Sequence, residues 1–178
     1  MHIFAKKINK TLMIDTILNR CSTRKYTEQD IKEEDITTLL RAGFAAPCSK
    51  DSRCWHFIVL DNKEIMCSLG ENLTYAHMLQ YANKAILVCA EREKAPLCWS
   101  LDCSAASENI LLAAESLGIG ACWTAVYPYK DRDDVVRKYM SDIPSNVEIL
   151  CIIPLGYPAK EKRVKDKFDT SKIHYNKW

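Results

Sequence analysis

A mixed α/β or α+β fold is predicted by three features of the sequence. Short apolar runs alternate with amphipathic stretches along the chain. The run Ala85-Ile86-Leu87-Val88-Cys89 is wholly apolar, as a buried strand requires, and residues 101–117 carry a wide apolar face at helical spacing. With 178 residues and 48% hydrophobic content the chain can bury a real core, and no second domain is expected.

Taken in order, residues 1–12 are expected as a loose arm ahead of a single domain over 13–178. Residues 13–20 read as a short helix with Met13, Ile14, Ile17 and Leu18 on one side. Ile36, Leu39, Leu40 and Phe44 set a helix over 32–44, stopped by Ala45-Ala46-Pro47, and a loop then runs to Cys54. His56-Phe57-Ile58-Val59-Leu60 is a strand, which Asp61-Asn62 turns into a helical pair over 63–81. After the strand at 85–89 comes the helix over 101–117, with Ala105, Ala106, Ile110, Leu111, Ala113, Ala114 and Leu117 inward and Gly118 as its left-handed cap. A strand over 122–126, a helix over 131–140 and a buried strand over 147–153, closed by Pro154 and Gly156, complete the domain. The charged tail over 160–178 ends in Ile173, His174, Tyr175 and Trp178. Such side chains are costly to leave in water, so the tail is expected to dock on protein surface, a partner subunit being suited.

Charge narrows the function. Net charge is +2, from 25 basic and 23 acidic residues, so no strong field draws the chain to nucleic acid or anionic lipid, and a small-molecule ligand is expected. No apolar stretch approaches the roughly 18–20 residues that span a bilayer, and residues 1–10 lack the apolar core of a secretory signal, which predicts a cytoplasmic protein. The nine cysteines form no Cys-x-x-Cys pair and read as reduced thiols, while His56, His77 and His174 lack metal-site spacing.

Arg20 and Arg24 bracket Ser22, an arrangement suited to gripping an anion through bidentate charge-assisted bonds and a hydroxyl; a phosphate-bearing cofactor is the natural candidate. Plainer readings compete: two arginines four apart at a helix end complement its dipole, the run 160–167 is a solvated loop, and Asp51 with Arg53 is a surface pair. Gly118-Ile119-Gly120 follows a helix and precedes a strand, the reverse of a dinucleotide fingerprint.

Arg20-Cys21-Ser22-Thr23-Arg24 resembles the Arg-x-Ser-x-Arg motif that opens the nitroreductase family of FMN-dependent oxidoreductases. The stretch from Ala46 to Trp55 resembles the family's Ala-Pro-Ser-x-x-Asn-x-Gln-Pro-Trp loop. Asp102 opening an Ala-rich helix with Glu108-Asn109, then Gly118 to Trp123, Leu155-Gly156-Tyr157-Pro158, Phe168-Asp169 and His174 follow in the family's order. The resemblance implies a three-layer α-β-α sandwich, α+β with a mostly antiparallel sheet. It also implies a homodimer holding two FMN molecules at its interface and using NADH or NADPH to reduce a nitroaromatic, quinone or similar electrophile. By this resemblance Arg20, Cys21 and Ser22 meet the phosphate and ribityl chain, Arg24 the pyrimidine edge, and Lys165 and Lys167 the phosphate. Cys48, Ser49 and Asp51 would reach the flavin of the other subunit, and backbone groups at Thr124 and Ala125 would face flavin N5.

Asp51, Arg53 and Cys54 stand where the pattern has Asn, Gln and Pro. A carboxylate near the flavin is expected to lower its potential unless Arg53 or Lys50 neutralises it. Reductive dehalogenation and enoate reduction occur on the same scaffold, and a non-catalytic redox-sensing flavin module is the alternative from another class. Residues 71–81 and 91–101 are expected to cover the flavin. The short segment before the long helix predicts an open pocket without a large lid.

Overall fold

Five antiparallel strands make one sheet in the order β1 (Trp55–Leu60), β2 (Lys84–Glu91), β5 (Val147–Gly156) and β3 (Gly120–Ala121), with β4 (Thr124–Ala125) also paired to β5. The structure, a computed structural model, describes residues 10–178, with side chains from Met13 onward. The helices are α1 (Lys10–Asn19), α2 (Glu33–Phe44), α3 (Lys63–Asn72), α4 (Trp99–Ser116) and α5 (Lys130–Tyr139). The fold is α+β.

Helices cover both faces of the sheet, and the two-residue period of β2 decides which side chain serves which face. Ile86, Val88 and Ala90 point into a core with Ile36 and Leu39 of α2 and Cys103, Ala106, Ile110 and Ala114 of α4. Ala85, Leu87 and Cys89 point the other way, against Met66 and Leu69 of α3 and Val136 of α5. Both faces being covered, β2 reads as a continuous apolar run. Each fully buried Leu or Ile here contributes about 1.5–3 kcal/mol. Asn109 Nδ2 donates to Ala42 O (3.0 Å) and ties α4 to α2.

Several expected boundaries move. The arm expected over 1–12 lies outside the described residues as far as residue 9, and α1 already begins at Lys10. The second half of the helical pair at 63–81 is a short 3-10 turn over His77–Tyr81. The strand expected to close at Pro154 runs on to Gly156, and the strand expected over 122–126 is split at Cys122 and Trp123. One cause explains both. Gly120 and Ala121 pair with Gly156 and Leu155, Thr124 and Ala125 with Ile152 and Cys151, all in one register, so the gap falls opposite Ile153 and Pro154. A proline offers no N–H to the ladder, and it is tolerated inside β5 because its neighbour leaves the sheet there. Gly118, with φ +71°, takes the left-handed conformation expected after α4. Among the described residues no helix is long and apolar enough to cross a membrane.

The buried thiols give the fold a pH signature. Burial pushes Cys89 up to about 11 and Cys151 up to about 12, from an ordinary 9.0. The neutral form is the one the folded state favours, so this stability is complete below pH 9 and is lost as pH rises through the folded values. The urea midpoint is therefore expected to fall between pH 8 and about pH 11; a flat profile would contradict it.

Candidate active site

After α1 ends at Asn19 the chain runs extended beside β3 and the end of β5. Arg20, whose N–H donates to Thr16 O (3.1 Å), closes the helix where its charge suits the dipole, whereas Arg24 lies beyond the helix end and the dipole reading does not reach it. Ser22 bridges Ala121, and Tyr26 bridges Pro158. Thr23 N–H donates to Ala121 O (2.9 Å), Thr27 N–H to Tyr157 O (2.8 Å) and Ala159 N–H to Lys25 O (3.0 Å). Alternate side chains of an extended segment share a side. Thr23 packs on Gly120 and Tyr26 on Gly156, while Arg20, Ser22 and Arg24 stand two residues apart and line one cleft.

The sheet admits this segment because glycine stands where it approaches. A Cβ at Gly120 would lie 2.6 Å from Thr23 Cγ2, and one at Gly156 would lie 2.8 Å from Tyr26 Cβ. The Tyr26 hydroxyl donates to Thr23 O (2.7 Å), and burial holds it well above the ordinary phenol range, so it remains a donor.

Across from this segment lies the tail. Residues 17–25 and 160–168, with Glu108 of α4, line a cleft of about 1160 Å³ whose wall carries eight basic side chains and three acidic ones. The two ends of the chain thus build one cationic site, and Arg20, Cys21, Ser22, Arg24, Lys165 and Lys167 all line it. Lys162 pairs with Glu115 (2.6 Å) and fixes the tail to α4, while Arg20 Nε lies 3.5 Å from Glu108. Among the described residues Arg24, Lys165 and Lys167 form no ion pair and stay available to an anion.

Arg24 also belongs to an adjoining pocket of about 580 Å³, where Thr124 and Ala125 meet Tyr75, His77, Tyr81, Trp123 and Arg132. The Thr124 hydroxyl is committed to Ile152 O (2.5 Å), and Arg132 Nη1 donates to Ala125 O (2.8 Å). Of the two segments expected to cover the site, 71–81 supplies part of this wall, whereas no residue of 91–101 lines either cavity within one chain.

Cys48, Ser49 and Asp51 line neither cavity of their own chain. Their loop sits at the start of α4, where the buried Asp102 accepts from Ser49 N–H and Ser52 Oγ (3.0 Å each) and from Cys54 Sγ (3.8 Å). Lys50, Asp51 and Arg53 all have positive φ (52°, 54° and 44°), costly for residues other than glycine and concentrated as functional loops concentrate them. Arg53 binds Asp51 in a bidentate pair (2.8 and 2.9 Å), the surface pair the sequence suggested, which neutralises the carboxylate.

The model of the nitroreductase family matches residues 17–97 and 87–157. The chain belongs to the nitroreductase family. A protein of Methanothermobacter thermautotrophicus, provisionally named an NADH dehydrogenase/NAD(P)H nitroreductase, is 44% identical over 97% of this chain and 91% of its own length. A crystal structure of a provisionally named NADH dehydrogenase/NAD(P)H nitroreductase from Parabacteroides distasonis superposes with TM-score 0.91 at 46% identity, covering 93% of this chain and 98% of that one. An FMN-dependent nitroreductase of Clostridium difficile gives TM-score 0.87 at 33% identity, covering 93% and 99%.

Within this nitroreductase fold, sequence reasoning reached Tyr75, His77 and Tyr81 only as part of the covering segment 71–81, and it missed Arg132, which carries no motif and meets them only through tertiary packing. Asp102 gave a signal, an acidic residue opening an Ala-rich helix, but its partners lie some fifty positions away.

Proposed function

We propose that this chain is an FMN-dependent NAD(P)H oxidoreductase that reduces a nitroaromatic, quinone or similar small electrophile by a ping-pong mechanism, as a cytoplasmic homodimer. The observation that carries this reading is the cationic cleft built from both chain ends, continuous through Arg24 with an aromatic pocket. Its unpaired Lys165 and Lys167 suit a phosphate, its unpaired Arg24 suits the pyrimidine edge of a flavin, and its volume of about 1160 Å³ admits the cofactor. Nitroreductase-family membership and the FMN dependence of the C. difficile relative support it.

When bound, FMN would supply the redox chemistry, accepting hydride from the nicotinamide and passing it to the acceptor. The chain's own residues bind and orient. Arg20, Cys21 and Ser22 would hold the ribityl phosphate with Lys165 and Lys167, Arg24 would offer a guanidinium to the pyrimidine edge, where reduction builds negative charge, and the Thr124–Ala125 backbone would face N5. Cys48, Ser49 and Asp51 complete the site of the other subunit, in keeping with their absence from either cavity of their own chain. Two exposed surfaces favour the homodimer: the Met13, Ile14, Ile17 and Leu18 face of α1, and the tail with Phe168 and Trp178 in solvent. The tail of the single domain docks there on the partner.

The thiol-sensor alternative has less support. Five of the nine cysteines, Cys54, Cys89, Cys103, Cys122 and Cys151, are buried, which leaves the half-buried Cys21, Cys48, Cys67 and Cys98 as the thiols an oxidant could reach.

Because Asp51 and Arg53 neutralise one another, Asp51→Asn leaves the Arg53 guanidinium uncovered and is expected to make the flavin midpoint potential less negative. Arg53→Gln, which uncovers the carboxylate, is expected to make the potential more negative; spectroelectrochemistry of both variants checks the pair of results. The reading as a whole is tested by adding NADH or NADPH under nitrogen: bleaching of the yellow protein supports it, and a protein that stays oxidised with both donors counts against it.

A further inference from the structure

The wall of the smaller pocket carries two arginines, a histidine and three aromatic side chains, and no carboxylate. Arg24 lies on the boundary with the cationic cleft, which leaves Arg132 as the cation of the pocket's own far wall. Its guanidinium is held in two ways: Nη1 donates to Ala125 O (2.8 Å), and the group lies 3.9 Å from the centre of the Tyr129 ring. The other cations of α5 are engaged elsewhere. Lys130 pairs with Asp134 and Arg137 with Asp133, both at 2.8 Å, and Lys138 lies over Tyr139. Among the described residues Arg132 forms no ion pair, so its remaining donors are free on the pocket side.

A half-buried guanidinium fixed by a carbonyl and a ring loses little side-chain freedom on gripping a carboxylate, and its fork geometry matches one. Tyr75, Tyr81 and Trp123 beside it supply faces for a flat ring. We infer that Arg132 selects planar acceptors that carry a carboxylate, the charge seated on its guanidinium and the ring among these aromatic side chains. This deepens the proposed function and rests on that flavin reading. A phosphate of the nicotinamide donor offers a similar anionic group, and the test separates the two.

FMN content of the purified protein is measured first. Benzoate and its neutral counterpart benzamide are then titrated into the holoprotein, with the flavin absorption band reporting binding. The kcat/KM values for 4-nitrobenzoate and 4-nitrobenzamide are compared in the same proteins. Wild type is expected to prefer each acid by about tenfold, Arg132→Gln to lose that preference, and Arg132→Lys to recover part of it. A preference that survives in Arg132→Gln, an equal loss for acid and amide, or an effect confined to the KM for NADPH over NADH would overturn the assignment. A protein without FMN overturns the flavin reading and this inference with it, whereas a yellow protein without acid preference overturns this inference alone.

Discussion

Gly120→Ala is expected to weaken FMN binding at least about tenfold while lowering stability by only about 1–3 kcal/mol, the usual penalty for overpacking. The new Cβ would lie 2.6 Å from Thr23 Cγ2 and 2.7 Å from Thr23 Cβ, and the second of these atoms is fixed to the backbone, so no rotamer relieves the clash. The extended segment must shift, and it carries Arg20, Ser22 and Arg24 with it. Adding Thr23→Gly removes the side chain met by the new methyl and is expected to restore much of the affinity. Gly156→Ala acts in the same direction through Tyr26, whose Cβ would be 2.8 Å away. Fluorescence titration with FMN beside urea unfolding separates the two effects. Retained affinity in Gly120→Ala would mean that the segment does not shape the cofactor site.

Asp102→Ala is the second large expected effect. Both carboxylate oxygens are used by the loop at 48–54, and removing them leaves the Ser49 N–H without its acceptor, a loss of about 1–3 kcal/mol. Three residues of that loop hold left-handed backbone conformations, which persist only where surrounding contacts enforce them. Without Asp102 the loop is expected to relax, and trypsin, which cleaves after exposed Lys50 and Arg53, reports it directly. Faster cleavage at these two sites together with faster FMN release would place the loop at a neighbouring subunit's cofactor. Faster cleavage with unchanged release would limit Asp102 to the fold.

Much of this site was legible in the sequence because its parts are local. Arg20, Ser22 and Arg24 sit within five residues, and an extended chain puts alternate side chains on one side. Lys165 and Lys167 follow the same spacing, and the apolar runs of β2 and β5 announce strands by composition alone. What escaped depends on partners distant in sequence. The break at Cys122–Trp123 is set by Pro154 on another strand, which no window around residue 122 contains. Arg132 reads as an ordinary basic residue of an amphipathic helix until Ala125 and Tyr129 are seen to hold it. Asp102 belongs to the 48–54 loop as much as to its own helix. Exposure of Met13, Ile14, Ile17 and Leu18 could not be read from spacing, since a helical apolar stripe looks the same whether it covers its own core or a neighbour.

The meeting of the two chain ends in one cofactor cleft is tested most directly by titrating FMN-free protein with FMN and following the quenching of flavin fluorescence, for wild type and for a Lys165→Ala, Lys167→Ala double variant. Saturation at one FMN per chain, with affinity weakened about tenfold or more in the double variant, is the expected result. No saturation in wild type, or equal affinity in both proteins, would contradict it.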